Sequence, residues 1–113
     1  MKKVWCLSPN HGEEKISDQV RAQTVARVDA FAKTRPWYSR IQVAARFRQQ
    51  FCYLDSIENG KLFPLCRLRF HDNEHWSLAF YTYSNERYQP CIFLTGKELG
   101  TVEEAIAACE LYL

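Results

Sequence analysis

Residues 51–70 read FCYLDSIENGKLFPLCRLRF, and the middle of this stretch decides the fold. Glu58-Asn59-Gly60-Lys61 stands between two runs in which apolar and polar residues alternate. Asn-Gly in that setting is a strong hairpin signal, because both central residues of a type I′ turn need positive φ. A two-residue loop pairs Ile57 with Leu62, Tyr53 with Cys66, Phe51 with Leu68, Cys52 with Arg67 and Gln50 with Arg69. Leu62, Cys66, Leu68 and Phe70 then share one face, and Arg67 and Arg69 share the other. A slip by one residue would carry the arginines into the core.

Upstream, Arg40 to Ile57 reads as one long strand of period two. Ile41, Val43, Ala45, Phe47, Phe51, Tyr53 and Ile57 fall on its core side, with Arg46, Arg48, Gln50 and Cys52 opposite. Asp55 falls on the core side, across from Pro64. Downstream, the polar turn His71-Asp72-Asn73-Glu74-His75 leads to a third strand from Trp76. Pairing Phe70 with Trp76 puts Trp76, Leu78 and Phe80 in the core and Ser77, Ala79, Tyr81 and Tyr83 with the arginines. After Ser84-Asn85-Glu86-Arg87 and Pro90, a fourth strand is expected over Cys91 to Thr95. Pro90 cannot donate to a ladder, which suits a strand start or an edge.

A helix is expected on each flank. Ser17 is an N-cap candidate with Asp18 in the first turn, and Val20, Val25, Val28, Phe31 and Ala32 recur at helical spacing up to Pro36. Thr101 with Glu104 three residues later makes a capping box for a last helix whose stripe is Val102, Ile106, Cys109 and Leu113. A short strand is expected at Lys3–Leu7, followed by the turn Ser8-Pro9-Asn10-His11-Gly12. The fold class is therefore α+β over a single domain, 1–113: a four-stranded antiparallel meander with an N-terminal and a C-terminal helix and a further N-terminal strand.

Composition fits this. Of 113 residues, 47% are hydrophobic and 25% charged, and the net charge of +2 excludes a disordered polyelectrolyte. The apolar run after Met1-Lys2-Lys3 is too short for a signal peptide, and no stretch is long enough for a membrane helix. The five cysteines (Cys6, Cys52, Cys66, Cys91, Cys109) are odd in number and widely spaced without a C-x-x-C pair. They read as free thiols in a reducing cytoplasm, with no cofactor and no structural metal.

The second sheet face is the informative one. It carries Arg46, Arg48, Arg67 and Arg69 beside Phe63, Leu65, Ala79, Tyr81, Tyr83, Ile92 and Leu94. An idle wet face should be polar, and this one is half apolar. Three readings stand. A helix or the N-terminal segment covers it. Or two such faces meet in a homo-oligomer, Tyr and Arg being enriched at interfaces. Or it is a ligand surface, with Arg46, Arg48, Arg67, Arg69, Tyr81 and Tyr83 holding a small anionic or aromatic molecule or single-stranded nucleic acid by stacking and charge. The low net charge counts against nucleic acid.

Candidate chemistry is sparse. The His71/His75 turn has no third metal ligand placed by spacing and reads as a solvated turn. Cys52, set opposite Arg67, is a reactive-thiol candidate because a nearby cation favours the thiolate, but no histidine stands beside it as a base. No catalytic residue is assigned. The expected function is a homo-oligomeric interaction or small-ligand-binding module using the Arg/Tyr face, with the chain itself as the expected partner; single-stranded nucleic-acid binding by the same face and a small cysteine- or histidine-dependent enzyme are the alternatives. Dinucleotide, P-loop, nucleophile-elbow and zinc-protease motifs are absent.

The segments Phe51-Cys52-Tyr53, Leu65-Cys66-Arg67-Leu68-Arg69, Trp76 to Glu86, Pro90-Cys91 and Gly100 to Ala105 resemble a group of small uncharacterised bacterial proteins, some carried on mobile gene cassettes. The resemblance runs from Phe47 to the C-terminus. It implies no activity and assigns no functional residue.

Overall fold

A computed structural model describes residues 15–72 and 74–113. The strand expected at Lys3–Leu7, the turn after it, Cys6 and Asn73 lie outside the described residues. Helix α1 (Asp18–Ala32) starts at Ser17, whose side chain accepts from the Val20 N–H. Five strands follow: β1 (Gln42–Arg48), β2 (Phe51–Glu58), β3 (Lys61–Asp72), β4 (His75–Thr82) and β5 (Arg87–Cys91). A two-residue strand β6 (Leu99–Gly100), helix α2 (Val102–Cys109) and a 3₁₀ turn (Glu110–Tyr112) complete the order. The fold is α+β, with an antiparallel sheet ordered β1-β2-β3-β4-β5 and β6 beside the first half of β4.

The strand count corrects the expected four. Residues 40–57 are two strands, folded back at Gln49-Gln50, with Gln49 at φ 56°. Phe47 pairs with Cys52 and Ala45 with Leu54, so the core side changes from odd positions on β1 to even positions on β2. A second change of parity lies on β3. The Asn59-Gly60 turn forms as expected, with Asn59 and Gly60 both at positive φ, and Ile57 pairs with Leu62. Beyond Pro64, however, the ladder shifts by one residue, and Leu54 pairs with Cys66, Tyr53 with Arg67 and Cys52 with Leu68. Proline has no N–H for a ladder, so pairing breaks there and resumes around a bulge at Leu65.

Assignments on β2 therefore invert. Phe51, Tyr53 and Asp55 leave the expected core side and join Arg67 and Arg69; Cys52 and Leu54 enter the core. Leu65 is buried, and Phe63, paired with Ser56, belongs to the helix side rather than the arginine side. The third strand is as expected, with Phe70 opposite Trp76 and Arg67 opposite Ala79. The fourth strand runs Arg87–Cys91 rather than Cys91–Thr95; the chain then leaves the sheet and plugs Phe93 into the core.

Both helices pack on the face that carries Cys52, Leu54, Cys66, Leu68, Trp76 and Leu78. On α1 the buried residues are Thr24, Val28 and Ala32, whereas Val25 is exposed, so the stripe is narrower than expected. On α2, Val102, Ala105, Ile106 and Cys109 are buried beneath a complete Thr101–Glu104 capping box. The helices and their flanks are tied by charge: Arg27 reaches Glu103 at 2.6 Å, and Arg35 and Trp37 both donate to Glu110. Among the described residues, no helix is long and apolar enough to cross a membrane.

Candidate functional site

With both helices on one side, the other side of the sheet is covered, among the described residues, by its own side chains and, beside Arg67 and Arg69, by Ile92 and Glu98 of the segment after β5. The sequence β1 to β4 delivers them in rows. Arg46 on β1 faces Tyr53 on β2, Tyr53 faces Arg67 on β3, and Arg67 faces Ala79 on β4. One row further, Arg48 faces Phe51, Phe51 faces Arg69, and Arg69 faces Ser77. Cations and rings therefore alternate across the strands, which is the arrangement that lets a guanidinium lie over a ring face.

They do stack. The Arg46 guanidinium lies 4.5 Å from the Tyr53 ring centre, and that of Arg67 lies 4.7 Å from Phe51 and 5.4 Å from Tyr88. The rings themselves form a continuous path, Phe51–Tyr53–Tyr88–Tyr81–Tyr83, with successive centres 6.3, 5.5, 5.1 and 4.9 Å apart. Tyr53 and Tyr88 meet edge-on, and Ala79, opposite Arg67, is only 5% exposed although it lies on the face away from the helices. Burial pushes the Tyr88 hydroxyl above its ordinary pKa, with Arg46 pulling the other way.

Asp55 sits beneath this layer. Its side chain is 2% exposed, and Arg46 Nε donates to it at 2.7 Å, which strengthens the hold of Arg46 on its proton. Arg46 is thus already neutralised. Arg48, Arg67 and Arg69 have no carboxylate within 4.0 Å among the described residues. Arg67 and Arg69 line a shallow groove of about 480 Å³ together with Phe51, Ser77, Ala79 and Ile92. Glu98 lines the same groove and is its one acidic side chain among the described residues. An anionic group entering there would meet two guanidinium groups against an apolar floor.

The expected site residues are thus distributed unequally. Arg46, Arg67, Tyr81 and Tyr83 belong to the stacked layer, Arg69 to the groove, and Arg48 to the end of the edge strand. Tyr83 is half-exposed and donates its hydroxyl to the Pro64 carbonyl at 3.0 Å. Phe51, Tyr53, Asp55 and Tyr88 escaped sequence reading. The one available signal was Pro64, whose missing donor marks the parity change that moves three of them.

The thiol candidate changes face. Cys52 pairs with Leu68, not Arg67, and is fully buried. Burial first, and then nearby Asp55, push its thiol up to about 12, the reverse of what an activated nucleophile needs. In the His71 turn, His75 bonds Asp72 at 2.7 Å and His71 lies 3.4 Å from the Ser77 hydroxyl, both exposed. Among the described residues no group of three His, Cys, Asp or Glu side chains is placed to hold a metal ion. Comparison with family models, with curated proteins and with solved structures yields no match.

Proposed function

We propose that this protein is a small-ligand-binding module, and that the groove over Arg67 and Arg69 takes the anionic end of a small aromatic molecule. One observation carries the reading: two guanidinium groups that make no ion pair among the described residues border an open groove, lined also by Glu98, on the side of the sheet opposite both helices. Phe51 and Ile92 supply an apolar wall for a flat body, and a guanidinium fork suits a carboxylate or phosphate. The same charges argue against pairing two copies through this face. A two-fold axis would set like patches against each other, guanidinium opposite guanidinium, with the one buried carboxylate already engaged.

The test is an amide-resolved NMR titration with phenyl phosphate, using phenol as the neutral control. Phenyl phosphate is expected to shift the amides of Phe51, Arg67, Arg69, Ser77 and Ala79 saturably, and phenol is not. Arg69→Ala, at an exposed site, should leave the fold intact and weaken binding roughly tenfold, the scale of one charge-assisted hydrogen-bonded contact. Equal shifts from phenol, or unchanged affinity in Arg69→Ala, would dismiss the proposal. Saturable binding of single-stranded oligonucleotides along the whole ring path, with steep salt dependence, would replace it with the nucleic-acid reading.

A further inference from the structure

A second groove, of about 780 Å³, lies where β3 and β4 part company. Their ladder ends at Cys66 opposite Phe80, yet β3 runs on to Lys61 paired with β2 alone, and β4 runs to Thr82 paired with β5 alone. The fork is held open by chemistry rather than by accident of length. Pro64 has no N–H to offer across it, and the Pro64 carbonyl is occupied by the Tyr83 hydroxyl at 3.0 Å. Both devices blunt the strand edge against pairing with a further strand.

The walls are aromatic on both sides, with Phe63, Phe80, Tyr81, Tyr83 and Tyr112 all bordering the space. Phe80 and Tyr112 meet edge-on at 5.7 Å, and Tyr81 and Tyr83 at 4.9 Å. Phe63, Tyr83 and Tyr112 remain exposed. Among the described residues, Glu58 is the only charged side chain on the lining. It makes no ion pair among the described residues, even with its cross-strand neighbour Lys61. Ring faces and an unpaired carboxylate complement one kind of charge, a weakly hydrated organic cation. The volume falls within the range of small-molecule sites.

We infer that this fork is a binding site for an organic ammonium ion carried on an apolar body, held by the aromatic walls and by Glu58. It adjoins the anion groove, sharing Pro90 and Cys91 on the lining, and is of opposite charge preference; Tyr81 and Tyr83 also belong to the ring path described above.

The experiment titrates the full chain with benzyltrimethylammonium and, as the charge-reversed control, with benzenesulfonate, both followed by amide NMR. The cation is expected to shift Phe63, Leu65, Phe80, Tyr81 and Tyr83 saturably, and the sulfonate to leave these signals in place. Glu58→Gln, beside an exposed turn, should weaken the cation about fivefold with the spectrum otherwise native. Tyr83→Leu should weaken it as well, through a lost ring face. Saturation by the sulfonate at the same amides, failure of the cation to saturate, or unchanged affinity in Glu58→Gln would each overturn the inference.

Discussion

Asp55 is a carboxylate that the fold buries and a single guanidinium answers. Arg46→Ala removes that answer and leaves the charge unpaired beneath the ring layer. Loss of Arg46 costs about 2 kcal/mol, less than for a fully buried pair because Arg46 is itself 54% exposed, while the carboxylate left behind keeps its desolvation penalty. Arg46→Lys should recover part of this, since an ammonium restores charge without the planar contact to Tyr53. Arg48→Ala, at the exposed end of the same strand with no carboxylate partner among the described residues, should fall within about 0.5 kcal/mol of the parent. Urea denaturation of the three variants checks the order. An Arg46→Ala protein as stable as Arg48→Ala would mean the pair contributes nothing. Thiol reactivity sorts by the same physics of burial. Of the four described cysteines only Cys91 is partly exposed, although burial raises its thiol too. Iodoacetamide labelling of the native protein near neutral pH, read by peptide mass spectrometry, should modify Cys91 before Cys52, Cys66 or Cys109. Early labelling of Cys52 would contradict its place in the core.

At the scale of elements, the start of α2 is where sequence and packing agree most closely. Thr101 accepts from the Glu104 N–H at 3.1 Å, and Glu104 returns a bond to the Thr101 N–H at 2.9 Å. Thr101→Ala should cost about 1 kcal/mol. Gly100 just before it is required for a different reason. A Cβ there would stand 2.8 Å from Glu104 Oε1 and 2.9 Å from the Phe93 ring. Gly100→Ala must therefore displace both the cap and the buried plug, costing about 2 kcal/mol in thermal or urea unfolding; a neutral result would show that the loop yields freely. These caps, the Asn59-Gly60 turn and the alternation on β4 were legible because each is written locally, in a few adjacent residues. The turn at Gln49-Gln50 was not. It lacks glycine and asparagine, and Gln49 adopts positive φ only because the strands on both sides are held. The bulge at Leu65 was marked by Pro64 alone, since apolar residues at Leu65 and Cys66 satisfy either parity. The two unseen parity changes cancel between β1 and β3. The four arginines therefore share a face as the alternation implied, while the strand between them turned over and exchanged Cys52 for Phe51 and Tyr53. The site's cations could be read from sequence; the rings that hold them could not.

Over the whole molecule, the decisive fact is that residues far apart in sequence hold both helices to one side. Arg27 on α1 bonds Glu103 on α2, and Arg35 and Trp37, after α1, bond Glu110, after α2. These contacts close the helical layer on one side and leave the opposite face of the sheet uncovered by either helix. They also set the response to acid. Burial works to raise both carboxyl groups, but their hydrogen bonds to Arg27, and to Arg35 and Trp37, outweigh it and hold both below the ordinary value of 4.5. A carboxyl with a lowered folded pKa binds its proton more readily once the chain unfolds. Its contribution is therefore complete above the ordinary glutamate range and is lost as pH falls through the lowered folded value. Glu103→Gln and Glu110→Gln should each cost about 1 kcal/mol at pH 7, as partly exposed pairs do. That deficit should shrink as the pH drops below 4.5 and vanish once the parent carboxyl is itself protonated. Urea midpoints at intervals from pH 7 to pH 3 measure this directly. Parallel curves for parent and variants across that range would show that neither pair is coupled to folding, and that the helices are held to their side by apolar packing alone.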